Sequence, residues 1–452
     1  MAELRHTMQE WMQVVENEIQ AGHVEKALEI QSKLNESADK KKLCRAIYKK
    51  AWLSFKEERF LIAESLFLWL QEIRPKSFKV NLSSAAVNQK KYGRSIASEK
   101  FRDFVERNPV YHYRKSSSEN STKIGIFLAA GKRDLNFRSG GFTLPEGQTE
   151  SFHLVRKNSY AASMLFCEGV SSTQIDQFDI LLNAVSDADI HLEFLNKQIS
   201  LLSDKKIPII NHPQSILNNT REKIVENIPP SIDVIIPKTV RVNLVSEKID
   251  DLTSQISMNK LGYPVLIRPI GSQTGENLVL LNTEEEACEY HHKDGWFYLT
   301  EFHDFRSVDG YYRKYRVWNI GGKTVPNHLF LSDKWNVHGT SRFETMIKNQ
   351  WMIDEEKSFI NGDSKSNQDG FLCLISTLQN VTGLDYFGVD FGFTKEGIPI
   401  LFEANPTMRS NYPEWMEQFP CIKDVHRNHT HAFHALIESK INSVSWIIYL
   451  YL

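Results

Sequence analysis

From the start of the chain to about Arg114, apolar residues recur at three- and four-residue spacing with no strand-like alternation of any length, so the pattern predicts helices. ERFLIAESLFLWLQEIRP and YGRSIASEKFRDFVERNP each run a helix into a proline stop. Pro75 and Pro109 stand 34 positions apart, a period of stacked helix pairs. GHVEKALEIQSKL reads as an earlier copy, with Ala27 in the place that Ala63 takes in the next unit. The copies are degenerate, and a plain helical bundle is the competing reading. Residues 1–115 are expected to form an all-helical domain, and the short serine-rich stretch that follows, 116–123, a linker.

The pattern then changes. IGIFLAA and FDILLNAV are unbroken apolar runs of buried-strand length, and IPIINHP ends a third, with helical stretches between them. Residues 124–215 therefore read as a small parallel α/β domain, and 216–440 as a second region of alternating strands and helices. The apolar end WIIYLYL, within 441–452, is shorter than the roughly 20 residues a membrane span takes and reads as a terminal strand or packed tail. The fold class is α/β (α+β).

Composition narrows the partners more than the chemistry. Of 452 residues 41% are hydrophobic and 24% charged, with a net charge of −2, as in an ordinary soluble protein. No long basic block calls for nucleic acid. Five cysteines without CxxC spacing argue against a disulfide framework and fit a reducing cytoplasm. The first residues, MAELRHTMQEWMQVVENEIQ, lack the apolar core of a signal peptide and read as an amphipathic helix.

The chemistry concentrates in the last region. In ILFEANPTM the strand period of two sets Glu403 and Asn405 on one face. YFGVDFGF carries Asp390, and TKEGIPI joins the two strands as a hairpin, so Asp390 can sit beside the pair. Two carboxylates and an amide carbonyl make an all-oxygen site suited to Mg2+; the alternative is a solvated Asp390 and a Glu403 engaged in an ion pair. LGYPVLIRPIGSQTGENLVLL places Arg268 at a strand end before a glycine loop, in which Gly271 and Gly275 permit close approach to an anion and Ser272 and Thr274 offer donors. An ordinary hairpin is the other reading. In YYRKYRVWNIGGKTV alternation puts Arg316 on a face with Lys314, and Arg313 on the other, with Tyr315 and Val317. Four histidines, His426, His429, His431 and His434, read as helix-surface residues, because nothing completes a zinc signature.

The order YPVLIRPIGSQTG, YLTEF, RVWNIGGK, GVDFGF and FEANPT resembles the ATP-grasp superfamily, most closely its glutathione synthetase and RimK-type ligases, over roughly residues 124–440. The helical region before it resembles tetratricopeptide repeats. The resemblance implies ATP and Mg2+, or Mn2+, as cofactors. It implies Arg221, or the competing Lys223 in NNTREK, as the first basic contact to phosphate and Arg268 as the second, where the family more often has lysine. Glu301 and Phe302 would lie at the adenine hinge, Arg316 would steady an acyl phosphate, and Asp390, Glu403 and Asn405 would hold the metal. PNHLFLSDKWNVHG resembles a subgroup of RimK-like proteins, which places Lys334 and His338 near the acceptor, with a plain surface loop as the alternative.

The activity so implied is ligation of a carboxylate to an amine through an acyl phosphate, on an amino acid, peptide or protein recruited by the helical repeats. No Ser-His-Asp signature or GxSxG elbow points to a side-chain nucleophile. The rivals are a nucleotide-sensing interaction protein and a phosphotransferase on the same core. No nucleic acid or membrane partner is expected, and a homo-oligomer is left open.

Overall fold

The computed structural model describes the chain except residues 1–7, 116–117, 119–120, 139–140, 231–232, 246–250, 273–274, 276, 363–367, 408–418 and 451–452. Half of the expected linker and the whole of Thr274 lie outside the described residues. The chain divides into two compact units.

The first unit takes residues 1–111, 129–145 and 164–170. Its helices are α1 (Met8–Gln20), α2 (Val24–Ser37), α3 (Lys40–Lys56), α4 (Phe60–Ile73), α5 (Phe78–Tyr92) and α6 (Arg94–Arg107). Successive helices pack as hairpins around one core that includes Leu43, Ile47, Leu66, Phe67 and Trp69. Ala27, Ala63 and Ala97 are all buried, so a residue without bulk stands where α2, α4 and α6 each approach their neighbours. The buried Glu16 of α1 is paired with Lys50 of α3 and with Arg59 ahead of α4, so one carboxylate ties three turns of the array. Helix ends before Arg114: Asn108 closes α6, Pro109 follows, and VYHYR forms strand β1 (Val110–Arg114) because aromatic and β-branched residues favour a pleated surface. Since 129–145 and 164–170 belong with the helices, a cut at residue 115 does not excise a unit.

The remaining strands are β2 (Thr122–Leu128), β3 (Asn136–Arg138), β4 (Gly141–Thr143), β5 (Tyr160–Phe166), β6 (Ile180–Asn183), β7 (Ile209–Ile210), β8 (Thr239–Leu244), β9 (Val265–Pro269), β10 (Val279–Leu281), β11 (Gly295–Glu301), β12 (Tyr312–Ile320), β13 (Lys323–Ser332), β14 (Tyr386–Phe393) and β15 (Pro399–Asn405). The three runs read as a parallel sheet are β2, β6 and β7, paired in parallel in that order, with IPIINHP contributing only the two residues of β7.

Two antiparallel four-stranded sheets carry the rest of the second unit, in the orders β10-β9-β11-β8 and β13-β12-β14-β15. In the first, Val242, Val265, Ile267, Phe297 and Leu299 pack against helices Asp251–Met258 and Glu284–Glu289. Alternation then turns Arg241, Arg268 and Tyr298 to the opposite face. In the second, Tyr315 stacks on Phe391 with centroids 5.2 Å apart and packs on Phe359, so Arg316 and Asp390 face the other way.

The chain end departs from the sequence expectation. Cys421–Leu450 is one helix of 30 residues that runs through WIIYLYL as far as Leu450, with no strand or separate tail from 441. No Gly or Pro interrupts the sequence from Cys421 to Leu450, so nothing local stops the helix. Among the described residues no helix is long and apolar enough to cross a membrane.

Candidate active site

A row of side chains crosses the second sheet. Residues directly opposite one another on neighbouring strands share a face, and the register sets His328 opposite Arg316, Arg316 opposite Asp390, and Asp390 opposite Glu403. Asn405 follows Glu403 two positions on, opposite Gly388. The hairpin inferred between the Asp390 strand and the 403–405 pair is therefore present, with all three oxygen-bearing side chains on one surface.

Asp390 is 1% exposed and doubly compensated. Arg316 donates both Nε and Nη2, the latter at 2.7 Å from Oδ2, and Lys314 Nζ stands 2.8 Å away. Burial pushes the Asp390 carboxyl up, but Arg316 and Lys314 outweigh it and hold the group well below the usual carboxylate range. Glu403 is lowered for the same reason: burial raises it, and Arg221, with Nη2 at 2.5 Å, together with Arg268 and Lys314 outweighs this. Asn405 donates its Nδ2 to Glu403, which leaves the amide carbonyl as its acceptor. Arg313 turns to the opposite face, as alternation required, and pairs with Asp309 and Glu355.

Arg221 and Lys223 part company. Arg221, first residue of the helix Arg221–Asn227, reaches Glu403, while Lys223 donates to the Leu217 carbonyl at 2.8 Å and holds the turn before that helix. Arg268 lies in the same cleft as Arg221 and Glu403, between the two sheets. Burial, and then the like charge of Arg221, push its guanidinium down to about 10, so Arg268 stays charged at neutral pH. Arg268 also holds the glycine loop by bonds to the Ser272 carbonyl and, at 3.3 Å, its hydroxyl. Gly271 and Gly275 both have positive φ, 76° and 72°, where L side chains are strained.

At the expected hinge both backbone donors are already engaged. The Glu301 N–H donates to the Lys238 carbonyl and the Phe302 N–H to the Pro264 carbonyl, each within the protein, so neither is open to a purine edge. The Glu301 carboxylate accepts the Lys238 N–H at 3.0 Å. Phe302 meets Trp335 edge to face at 5.8 Å, and Asn336 stands against Gly275, so the 333–338 segment borders the glycine loop. Lys334 and His338 do not line the cleft around Arg221 and Arg268; His338 bonds the Thr340 hydroxyl at 2.9 Å.

The histidine reading is corrected in part. His429 is 1% exposed, bonds the Tyr386 hydroxyl at 2.7 Å and lies 3.6 Å from the Trp318 ring. It belongs to the core because Cys421–Leu450 lays that face on β12 and β13. His153, from a loop, stacks near His426 at 5.3 Å. Among the described residues no set of three or more His, Cys, Asp or Glu side chains stands as a metal site.

Sequence reading passed over Asp187, Asp189 and Tyr298, which all line the cleft. The signal for the aspartates was SDAD at the exit of FDILLNAV, where a parallel strand gives way to a helix and an Asp cap is favoured. Asp187 indeed caps the helix Ala188–Leu202.

No protein-family model and no curated protein sequence matches the chain. Solved structures similar to it include a RimK-domain ATP-grasp protein from Sphaerobacter thermophilus, at 12% identity over 67% of this chain and 97% of that one, with a TM-score of 0.39. D-alanyl-alanine synthetase A from Vibrio cholerae is similar at 10% identity over 68% and 99%, TM-score 0.40. N5-carboxyaminoimidazole ribonucleotide synthetase from Thermotoga maritima is similar at 13% identity over 66% and 71%, TM-score 0.36.

Proposed function

We propose that the chain is an ATP- and Mg2+-dependent carboxylate–amine ligase that forms an amide or peptide bond through an acyl phosphate. The observation that carries this reading is the arrangement of charge in the cleft. Arg221 and Arg268 crowd one another beside Glu403, and Lys314 and Arg316 converge on Asp390. Asp187 and Asp189 line the same cleft, so four cations meet four carboxylates; the arrangement suits a metal–nucleotide rather than a bare polyanion, with the two arginines side by side offering planar donors to phosphate oxygens and Asp390 and Glu403 on adjacent strands offering oxygens to its cation.

Arg221 and Arg268 would take phosphate oxygens, with arginine supplying two donors in one plane where lysine supplies a point charge. Asp390, Glu403 and the Asn405 carbonyl are hard oxygen donors on adjacent strands and fit Mg2+ or Mn2+. When bound, such an ion would neutralise charge on the phosphates. The substrate carboxylate attacks the γ-phosphorus, ADP leaves, and the amine then attacks the acyl carbon, breaking the C–O bond to release phosphate. Arg316 and Lys314 would spread the charge that gathers on the transferring group, so positioning and electrostatics supply the catalysis. The loop held by Arg268 would cover the nucleotide and keep water from the acyl phosphate.

The acceptor is read as an amino acid, peptide or protein, because paired helices such as α1–α6 present a surface for extended chains. The five cysteines all stand as thiols rather than disulfides, in keeping with a reducing compartment such as the cytoplasm. Hydroxylamine trapping tests the intermediate: with Mg-ATP and a panel of carboxylates, a hydroxamate appears if an acyl phosphate forms. ADP with a stable phosphorylated alcohol or amine would instead make the chain a phosphotransferase.

A further inference from the structure

Arg241 does not line the cleft, yet its guanidinium bonds to three elements that do. Nη2 stands 2.5 Å from Asp189 Oδ1 and 2.8 Å from the Tyr298 hydroxyl, and Nε lies 2.8 Å from Glu222 Oε1. Tyr298 closes the set by donating its hydroxyl to Asp189 Oδ2 at 2.7 Å. The four residues come from the helix Ala188–Leu202, the helix Arg221–Asn227, β8 and β11. Three of these elements carry cleft residues: Asp187 and Asp189 on the first or beside it, Arg221 on the second, Tyr298 on β11.

The register makes the link to the phosphate cations direct. Tyr298 lies opposite Arg241 on one side and opposite Arg268 on the other, so Arg241, Tyr298 and Arg268 form a row across β8, β11 and β9. Glu222 is the chain neighbour of Arg221. A single guanidinium thus holds the backbone that presents Arg221 and the ring that abuts Arg268.

We propose that Arg241 is a positioning residue, which sets the spacing of Arg221 and Arg268 for a nucleotide phosphate chain by clamping Glu222, Asp189 and Tyr298 together. The inference rests on the ligase reading of the cleft. Its energetics are those of a charge-assisted, shared network in a half-buried setting rather than of an isolated surface pair: Asp189 and Glu222 side chains are 11% and 15% exposed, and Tyr298 is buried. Burial and the neighbouring Asp189 hold the Tyr298 phenol far above its usual value, which keeps it a donor at every working pH. Burial raises the Glu222 carboxyl, but the bond and charge of Arg241, with bonds from its own backbone N–H and from Thr220, together outweigh this and lower it.

The test is Mg-ATP binding by calorimetry, with thermal melting in parallel, for the wild type, Arg241→Gln, Arg221→Lys and the double variant. Residues that orient the ligands of a bound metal typically affect its affinity by about 10- to 100-fold, and the same kind of support given to the phosphate cations makes Arg241→Gln expected to weaken ATP by about tenfold or more. On the Arg221→Lys background, where the geometry to be preserved is already lost, it should weaken ATP less than about threefold, since residues acting through one another are not additive. Equal losses on both backgrounds, or a lowered melting temperature with unchanged affinity, would show a merely structural ion pair and overturn the proposal. Tyr298→Phe, which removes one hydroxyl, guards against misfolding of Arg241→Gln and should repeat the pattern at smaller size; unchanged affinity there would also overturn it. Absence of ATP binding by the wild type itself would sink the ligase reading and the clamp with it, whereas normal wild-type binding with an indifferent Arg241→Gln sinks the clamp alone.

Discussion

Arg316 and Asp390 face each other across neighbouring strands, with Arg316 Nη2 donating to Asp390 Oδ2 at 2.7 Å. The pair joins the cation assigned to the transferring phosphoryl group to a carboxylate assigned to the metal, so the two roles share one buried charge balance.

Removing one side of that balance should cost stability. Asp390→Asn leaves Arg316 and Lys314 without their counter-charge, and breaking a buried pair by losing one partner typically costs about 3–5 kcal/mol. Both cations are about a quarter exposed, which discounts the figure to roughly 2–3 kcal/mol. Urea unfolding of the variant measures this; an unchanged midpoint would mean that the cations are satisfied elsewhere.

Arg221 and Lys223 should separate by function. Arg221→Gln is expected to weaken Mg-ATP by about tenfold or more, on the order of the 1.5–3 kcal/mol of a hydrogen bond to a charged group. Lys223→Gln should leave affinity within about twofold, since Lys223 serves only the Leu217 carbonyl. Fluorescent-nucleotide titration of the two variants decides it, and the reverse order would reassign the phosphate contact.

Acid should destabilise the fold through buried imidazoles. Burial, followed by His426 and Arg156, pushes His153 down to about 3, and burial also lowers His426 and His429. Their folded values lie below the unfolded value of about 6.5, so the unfolded chain binds protons first. This contribution is complete above pH 6.5 and is lost progressively as pH falls toward 3. Melting temperatures from pH 7.5 to 4.5 should fall, and His153→Gln should flatten the slope; parallel curves would show that His153 carries none of it.

Much of this was legible in the chain because short-range periodicity carried it. Strand alternation set Arg316 and Lys314 on one face and Arg313 on the other. What failed depended on long-range packing. Period alone assigned His429 to a helix face, but only the sheet beneath that helix makes the face a buried one. The Arg241 cluster joins residues 189, 222, 241 and 298, and nothing local marks such a meeting. The backbone donors of Glu301 and Phe302 were committed by neighbouring strands rather than by anything in YLTEF.

The central claim is best tested by ADP release with Mg-ATP and pooled amino acids and peptides, comparing wild type with Glu403→Gln and following active pools by mass spectrometry. The account predicts substrate-dependent ADP, a product heavier by the amine less one water, and loss of at least about a hundredfold in rate in the variant, as when a group acting mainly in the transition state is removed. Turnover that survives Glu403→Gln, or ADP formed with a phosphorylated final product and no condensation, would contradict it.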